Sequence, residues 1–119
     1  MDCLFCKIIA GEVPSYKIYE DEKILAFLDI NPTSPGHTLI IPKKHYLDIH
    51  DLEEELLLHI VKTAKMIAKK YEEKLNCKGF SLCQNNGLAQ EVKHFHMHVI
   101  PKYEKEEKLS IEEVYEIIK

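Results

Sequence analysis

Three of the seven histidines fall within five residues, in His94-Phe95-His96-Met97-His98-Val99-Ile100. On an extended backbone, a period of two places all three imidazoles on one face and Phe95, Met97 and Val99 on the other. A merely solvated strand face draws on lysine, threonine, glutamate and serine, so three imidazoles in three positions point to chemistry. Same-face residues stand ~6.5 to 7 Å apart, which lets the rings line one site without all touching. Two chemistries fit that spacing. One is metal binding, for which imidazole is a suitable ligand. The other is covalent catalysis: an imidazole whose Nδ1–H is held by a carbonyl presents Nε2 as a nucleophile, and its neighbours serve an oxyanion or a leaving group. Phosphorus is a natural target, because a phosphohistidine splits one hard displacement into two easier ones.

A second constellation opens the chain. Cys3-Leu4-Phe5-Cys6 has the spacing that lets both sulfurs reach one tetrahedral ion. A redox pair is the rival, though such a pair is expected after a strand in a βαβ unit; two buried small residues on a helix are the third reading. Cys77 and Cys83 read as packing residues. His50 and His59 have no second donor at helical spacing and read as solvated or helix-packing side chains.

The elements that must position these groups follow from pattern. Leu4 to Ala10 is short and apolar and is closed by Gly11, which predicts a brief helix. Lys17 to Tyr19 and Lys23 to Asp29 predict two strands joined through Glu20-Asp21-Glu22. The turn-rich Asn31-Pro32-Thr33-Ser34-Pro35-Gly36 leads into a third strand, Thr38 to Ile41, stopped by Pro42. A long helix is predicted from near Asp51, capped by that carboxylate with Glu54 three residues on, to about Leu75. Its inward stripe is read as Leu57, Val61, Ala64, Ala68, Tyr71 and Leu75, with Leu56, Leu58, Ile60 and Ile67 outside it and available to a partner. Gly79 to Gln84 and Val92 to Ile100 predict two more strands, and Ser110 with Glu113 starts a C-terminal helix after the mixed-charge stretch 104–108. The expected fold is α+β: a five-stranded, mainly antiparallel sheet with one long helix, a short N-terminal helix and a C-terminal helix.

With 119 residues the chain is expected to form a single domain, 1–119, with its core in about 3–103. An apolar fraction of 45% with 30% charged residues is globular, and excludes a disordered tail or a disulfide scaffold. No apolar run approaches the ~20 residues that cross a bilayer, and the stretch from Met1 to Cys6 has no basic region followed by an apolar one. The expected compartment is the cytosol, with no membrane partner. Sixteen lysines plus arginines against twenty acids give a net charge of −4, which argues against a nucleic-acid partner.

His94 to Ile100 resembles the histidine triad family, whose pattern is His-φ-His-φ-His-φ-φ with φ apolar, and matches it at every position. Further blocks in family order are Phe5-Cys6-Lys7-Ile8-Ile9, Ala26-Phe27-Leu28-Asp29-Ile30, Pro35-Gly36-His37-Thr38, Ile41-Pro42-Lys43-Lys44-His45, Asn85-Asn86-Gly87 and Gln90-Glu91-Val92. The chain is most similar to the Hint-like branch of nucleoside phosphoramidases and small bacterial members. The resemblance implies a two-fold homodimer acting as a hydrolase or nucleotidyl transferase on purine nucleoside 5′-phosphoramidates or related conjugates. The alternative is a nucleotide-binding sensor with weak turnover. His96 would be the catalytic nucleophile, His98 would contact the phosphate and His37 would support the imidazole network. The resemblance places Asp29 at the ribose hydroxyls, Phe5, Ile8, Phe27 and Ile30 around the base, and Asn85, Gln90 and Val92 near the phosphate or sugar. Asn86 to Gln90 is shorter than the family pattern, with no glycine beside Gln90. Small bacterial members that carry the cysteine pair bind zinc with two histidines, which implies one structural zinc held by Cys3, Cys6, His45 and His94. A zinc ion held instead by all three triad histidines, and catalytic, is the rival arrangement.

Overall fold

A computed structural model describes residues 3–119; Met1 and Asp2, the head of the stretch read above as lacking a leader, lie outside the described residues. In chain order the elements are α1 (Leu4–Ile9), β1 (Lys17–Glu20), β2 (Ile24–Leu28), β3 (Thr38–Pro42), α2 (Glu54–Lys74), β4 (Gly79–Gln84), β5 (Met97–Lys102) and α3 (Ile111–Ile118). A single 3-10 turn at Gly87–Ala89 interrupts the connection between β4 and β5. The strands form one antiparallel sheet in the order β1-β2-β3-β5-β4. This is the α+β fold the sequence predicts.

Alternation along the central strands divides the apolar residues between two layers. Ile24, Ala26, Leu28, Ile40, Met97 and Val99 face α2 and α3 on one side of the sheet, where most of the core lies. Leu25, Phe27, Leu39 and Ile41 face the other side, where α1 adds Phe5 and Ile8. Both faces of β2 and β3 are therefore covered, and every residue of both strands is buried. Among the described residues no helix is long and apolar enough to cross a membrane.

Two expectations for α2 are corrected. The helix starts at Glu54 with no side-chain cap, because the Asp51 carboxylate instead accepts the Leu47 N–H at 3.1 Å and closes a turn before the helix. Its buried stripe is also rotated: Leu56, Ile60, Thr63, Ala64, Ile67, Ala68 and Tyr71 face the sheet, whereas Val61 is exposed. Leu56, Ile60 and Ile67 are thus core, and of the four residues reserved for a partner only Leu58 is exposed. His59 bolts α2 to the β1–β2 turn, its Nε2 lying 2.7 Å from Asp21 Oδ2. Burial works against ionisation of Asp21, but hydrogen bonds from Lys23, His59, Tyr19 and Ile24 outweigh it and hold the carboxyl well below its usual range. The capping box at Ser110 and Glu113 forms as predicted.

The turn before β3 sets the entry of one histidine. Gly36 has φ +93°, and a Cβ there would stand 2.9 Å from a Leu75 methyl and 3.1 Å from Pro101 Cγ, so only glycine fits. Ser34 Oγ donates to the Pro101 carbonyl at 2.6 Å and Tyr103 Oη donates to the Pro35 carbonyl at 2.7 Å, tying this turn to the end of β5.

Candidate active site

The histidine strand is shorter than the sequence suggests. The ladder begins only at Met97, and the residues before it are held by other means. Phe95 N–H donates to the Tyr46 carbonyl at 2.8 Å, the Gln90 amide donates to the Leu47 carbonyl at 2.7 Å, and Ile49 N–H donates to Asn86 Oδ1 at 2.9 Å. These bonds lace the segment before β5 to the loop after β3, which brings His94 to His45. The two-residue alternation nevertheless persists: Phe95 is buried in the α2 layer, while His94 and His96 both make edge contacts with the Phe5 ring on the α1 side.

Local partners decide where each proton sits. His94 Nε2 lies 2.9 Å from the Pro42 carbonyl, so it carries the hydrogen and donates. Its Nδ1 is left as a lone pair. In the same way His96 Nδ1 lies 2.8 Å from the carbonyl of His94 and donates to it, leaving Nε2 as a lone pair. His37 is read from the opposite direction: its Nδ1 accepts the Thr33 backbone N–H at 3.0 Å, so its proton is on Nε2. That Nε2–H points at His98 Nδ1, 2.9 Å away, with Asp29 Oδ2 a more distant 3.6 Å. His98 then accepts at Nδ1 and carries its own proton on Nε2.

Burial favours the neutral forms of His37, His94 and His98. It is the first cause that lowers His98 to about 4, followed by the neighbouring His96 and His37 rings and opposed by Asp29. Burial also pulls His37 below its ordinary value, with Asp29 opposing it and Lys102 adding to it. The His96 and His98 ring centres are 4.9 Å apart, at the base of a cleft of about 370 Å³ that Asp29, Asn85, Glu91 and Cys83 also line. Cys83 pairs directly opposite His98 in the sheet register and is exposed, so it is a wall of the cleft rather than a packing residue. A larger concavity of about 740 Å³, between the β1–β2 turn, the loop after β3 and the start of α2, contains none of the triad and is walled by mixed lysines and glutamates.

Of the remaining residues singled out in the sequence, Asp29 and Asn85 line this cleft, whereas Phe5, Ile8, Phe27, Ile30, Gln90 and Val92 do not. Asp29 Oδ1 accepts the Asn31 N–H at 2.8 Å, which fixes the carboxylate at the rim with Oδ2 toward His37. Phe5, Ile8 and Phe27 are buried in one cluster, Phe5 edge-on to both Phe27 and His96, and Ile30 is exposed. Gln90 is buried, its amide oxygen accepting from Gly87 N–H at 3.2 Å and its amide nitrogen donating to the Leu47 carbonyl. Val92 packs against the α1 layer. Sequence reasoning missed Thr33, whose backbone orients His37, and the Pro42 carbonyl that orients His94. A turn adjoining a functional histidine was the available signal for the first.

A second cluster sits on the other side of His94. Cys3, Cys6, His45 and His94 bring four potential ligand atoms within 4.8 Å of one another. His94 Nδ1 is 3.4 Å from Cys3 Sγ, 3.6 Å from Cys6 Sγ and 3.2 Å from His45 Nδ1, and Cys6 Sγ is 3.3 Å from His45 Nδ1. Those four of the six separations lie close to the edges, about 3.3 to 3.8 Å, of a tetrahedron built on metal–sulfur bonds of ~2.3 Å and metal–nitrogen bonds of ~2.0–2.1 Å. The free lone pair on His94 Nδ1 faces the centre. Without an ion, burial and the adjoining Cys3 push the Cys6 thiol up to about 11, so metal binding would release a proton there.

The family model of the HIT domain matches residues 10–105. The chain belongs to the histidine triad family. An uncharacterized HIT-like protein of Methanocaldococcus jannaschii is 47% identical over 104 residues, covering 86% of this chain and 80% of that protein. Adenosine 5′-monophosphoramidase of Saccharomyces cerevisiae is 46% identical over 102 residues, 84% of this chain and 62% of the yeast protein. Among solved structures, a Zn-bound histidine triad family protein from Mycobacterium smegmatis superposes with a TM-score of 0.92 at 36% identity, covering 99% of this chain and 91% of that one. In this histidine triad protein the first imidazole of the motif faces the cysteine pair, and the second and third face the cleft.

Proposed function

We propose that this histidine triad protein hydrolyses purine nucleoside 5′-phosphoramidates or related nucleotide conjugates, or transfers their nucleotidyl group, through a nucleotidyl-His96 intermediate. The observation that carries the reading is the set of hydrogen-bond partners that assigns the ring protons. The His94 carbonyl holds His96 Nδ1–H and leaves Nε2 free in the cleft, while the Thr33–His37–His98 chain puts an N–H on the neighbouring ring. His96 Nε2 attacks phosphorus, and the positive charge that develops on the ring is stabilised through Nδ1–H and the carbonyl. The phosphorus–nitrogen bond to the leaving amine breaks with its electron pair on nitrogen, which takes a proton from a cleft water. His98 Nε2–H donates to a phosphoryl oxygen throughout. The hydroxide left by that water then attacks phosphorus, the bond to His96 breaks with its pair returning to Nε2, and the nucleoside monophosphate departs. One water is consumed. Resemblance to an adenosine 5′-monophosphoramidase supports the substrate class.

Asp29 accepts hydrogen bonds from the ribose hydroxyls through its rim-facing carboxylate, and Phe5, Ile8 and Phe27 with Ile30 form the apolar support of the base. Asn85 meets the phosphate or sugar. Gln90 and Val92 act by shaping the loop, since the Gln90 side chain is already bonded within it. Cys3, Cys6, His45 and His94 would hold one zinc ion, a reading supported by their tetrahedral spacing and by the Zn-bound relative. A closed four-ligand site supplies a structural cross-link between α1 and the residues that present His96.

The test is release of nucleoside monophosphate from adenosine and guanosine 5′-phosphoramidates. His96→Ala is expected to lower turnover on the order of 10³-fold or more while retaining nucleotide binding. Near-normal turnover by that variant contradicts the covalent route.

A further inference from the structure

Glu91 is a charged group of the cleft that the mechanism leaves unused. Its side chain has no hydrogen-bond or ion-pair partner among the described residues. It lines the catalytic cleft together with His96 and His98, and it also lines a separate groove of about 450 Å³ beside that cleft. The two concavities share this residue, whereas Asp29 borders the cleft on the side of the turn that contains Pro32 and Gly36. The groove beyond Glu91 is bordered by Leu4, Leu47 and Val92 and, on the side of the cysteine cluster, by Cys3 and His45; Leu4 and Leu47 are 47% and 46% exposed. Lys93 borders the groove but not the cleft, and its ammonium, still charged, is held at the Gly87 carbonyl at 2.6 Å rather than at Glu91.

A free carboxylate beside a transferring phosphoryl group repels it, and repels an anionic leaving group more. The same carboxylate attracts a cation, and walls of low dielectric strengthen that attraction. Exposed leucines in the adjoining groove suit a short aliphatic chain. We infer that the groove is the leaving-group subsite and that it takes an amine carrying a second positive charge on an aliphatic chain, with Glu91 accepting the charge and Leu4 and Leu47 packing on the chain. The inference rests on the reading of His96 as the nucleophile. It narrows the substrates from nucleotide conjugates at large to phosphoramidates of diamines and similar cationic amines, and disfavours a second nucleotide as leaving group.

Three adenosine 5′-phosphoramidates of similar size separate the possibilities: those of cadaverine, hexylamine and aminohexanoate, with cationic, neutral and anionic ends. The kcat/KM for the cadaverine conjugate is expected to be about fivefold above that for hexylamine, the scale of a partly screened ion pair, with aminohexanoate lowest. Glu91→Gln is expected to bring the cadaverine-to-hexylamine ratio to about one, and Leu47→Ser to weaken both alkyl conjugates alike. The ratio is the informative readout, because a merely structural role of Glu91 alters both substrates together. A wild-type ratio of one, or the same ratio in Glu91→Gln, overturns the assignment. Absence of turnover for all three overturns the reading of His96 instead. Binding of the three compounds to the His96→Ala protein then tests the groove independently: a cation preference lost in the double variant supports it, and equal affinities overturn it.

Discussion

A single backbone hydrogen at Thr33 sets the direction of the proton chain through His37 to His98, and two carbonyls set the protons of His94 and His96. Gln in place of His37 can still accept from Thr33 and donate to His98, whereas Leu can do neither. His37→Gln is therefore expected to keep kcat within about tenfold, and His37→Leu to lose a further ~10-fold or more with KM little changed, in steady-state assays. The low values of His98 and His37 also make stability depend on pH. Between the ordinary imidazole value near 6.5 and the His98 value of about 4, the unfolded chain binds more protons than the folded one. Their stabilisation is complete above pH 6.5 and lost as pH falls toward 4, about 1–2 kcal/mol for His98 after solvent screening. Urea midpoints at pH 7 and pH 5 should therefore differ more for the wild type than for His98→Gln. The alternation that gathers these rings was legible in the sequence, because it depends only on a period of two. The tautomer of His94 was not, because it depends on the Pro42 carbonyl, which only the fold brings into reach.

Element boundaries show the same division between local pattern and tertiary partner. The Ser110–Glu113 box was readable because both of its bonds are local, and Asp51 misled because the Leu47 N–H competes for its carboxylate. Likewise α2 has more apolar residues than one stripe requires, so only the sheet beneath decides that Leu56 and Ile60 go inside and Val61 does not. The ladder of β5 starts late because the preceding residues bond to the loop after β3, a connection no periodicity records. At Gly36 a methyl group meets both an unfavourable φ and the side chains of Leu75 and Pro101. Gly36→Ala is expected to destabilise by about 1–3 kcal/mol in chemical denaturation and to lower kcat as the entry of His37 shifts. At α1, metal analysis is expected to give about one zinc per chain for the wild type and none for the double variant Cys3→Ser, Cys6→Ser, which is expected to melt at lower temperature. A zinc-free wild-type protein with reduced cysteines contradicts that assignment.

For the whole molecule, the sheet has two edges that differ in protection. β1 carries Lys17 and Glu20, has an irregular register at Lys17–Tyr19, and Glu20 is further paired with Lys43 at 2.7 Å, all features that discourage pairing. β4 carries no charged residue and exposes Phe80 and Leu82, while the exposed side of α2 adds Leu58, Val61 and Met66. The β4 edge and α2 are thus the surfaces we assign to the two-fold dimer that the family resemblance implies. Light scattering at micromolar concentration is expected to give twice the 13.9 kDa chain mass, and Leu82→Lys to reduce it toward the monomer; a soluble wild-type monomer contradicts the assignment. In the proposed function the loops that orient His96 present one lone pair, its Nε2, to phosphorus. Rapid acid-free quenching during turnover of adenosine 5′-phosphoramidate, followed by mass spectrometry of the protein, tests that claim most directly. The account predicts one adenylyl group per chain, on the peptide containing His94 to His98 and absent from His96→Ala; full turnover with no adenylylated protein at any time, or with the group on another residue, contradicts it.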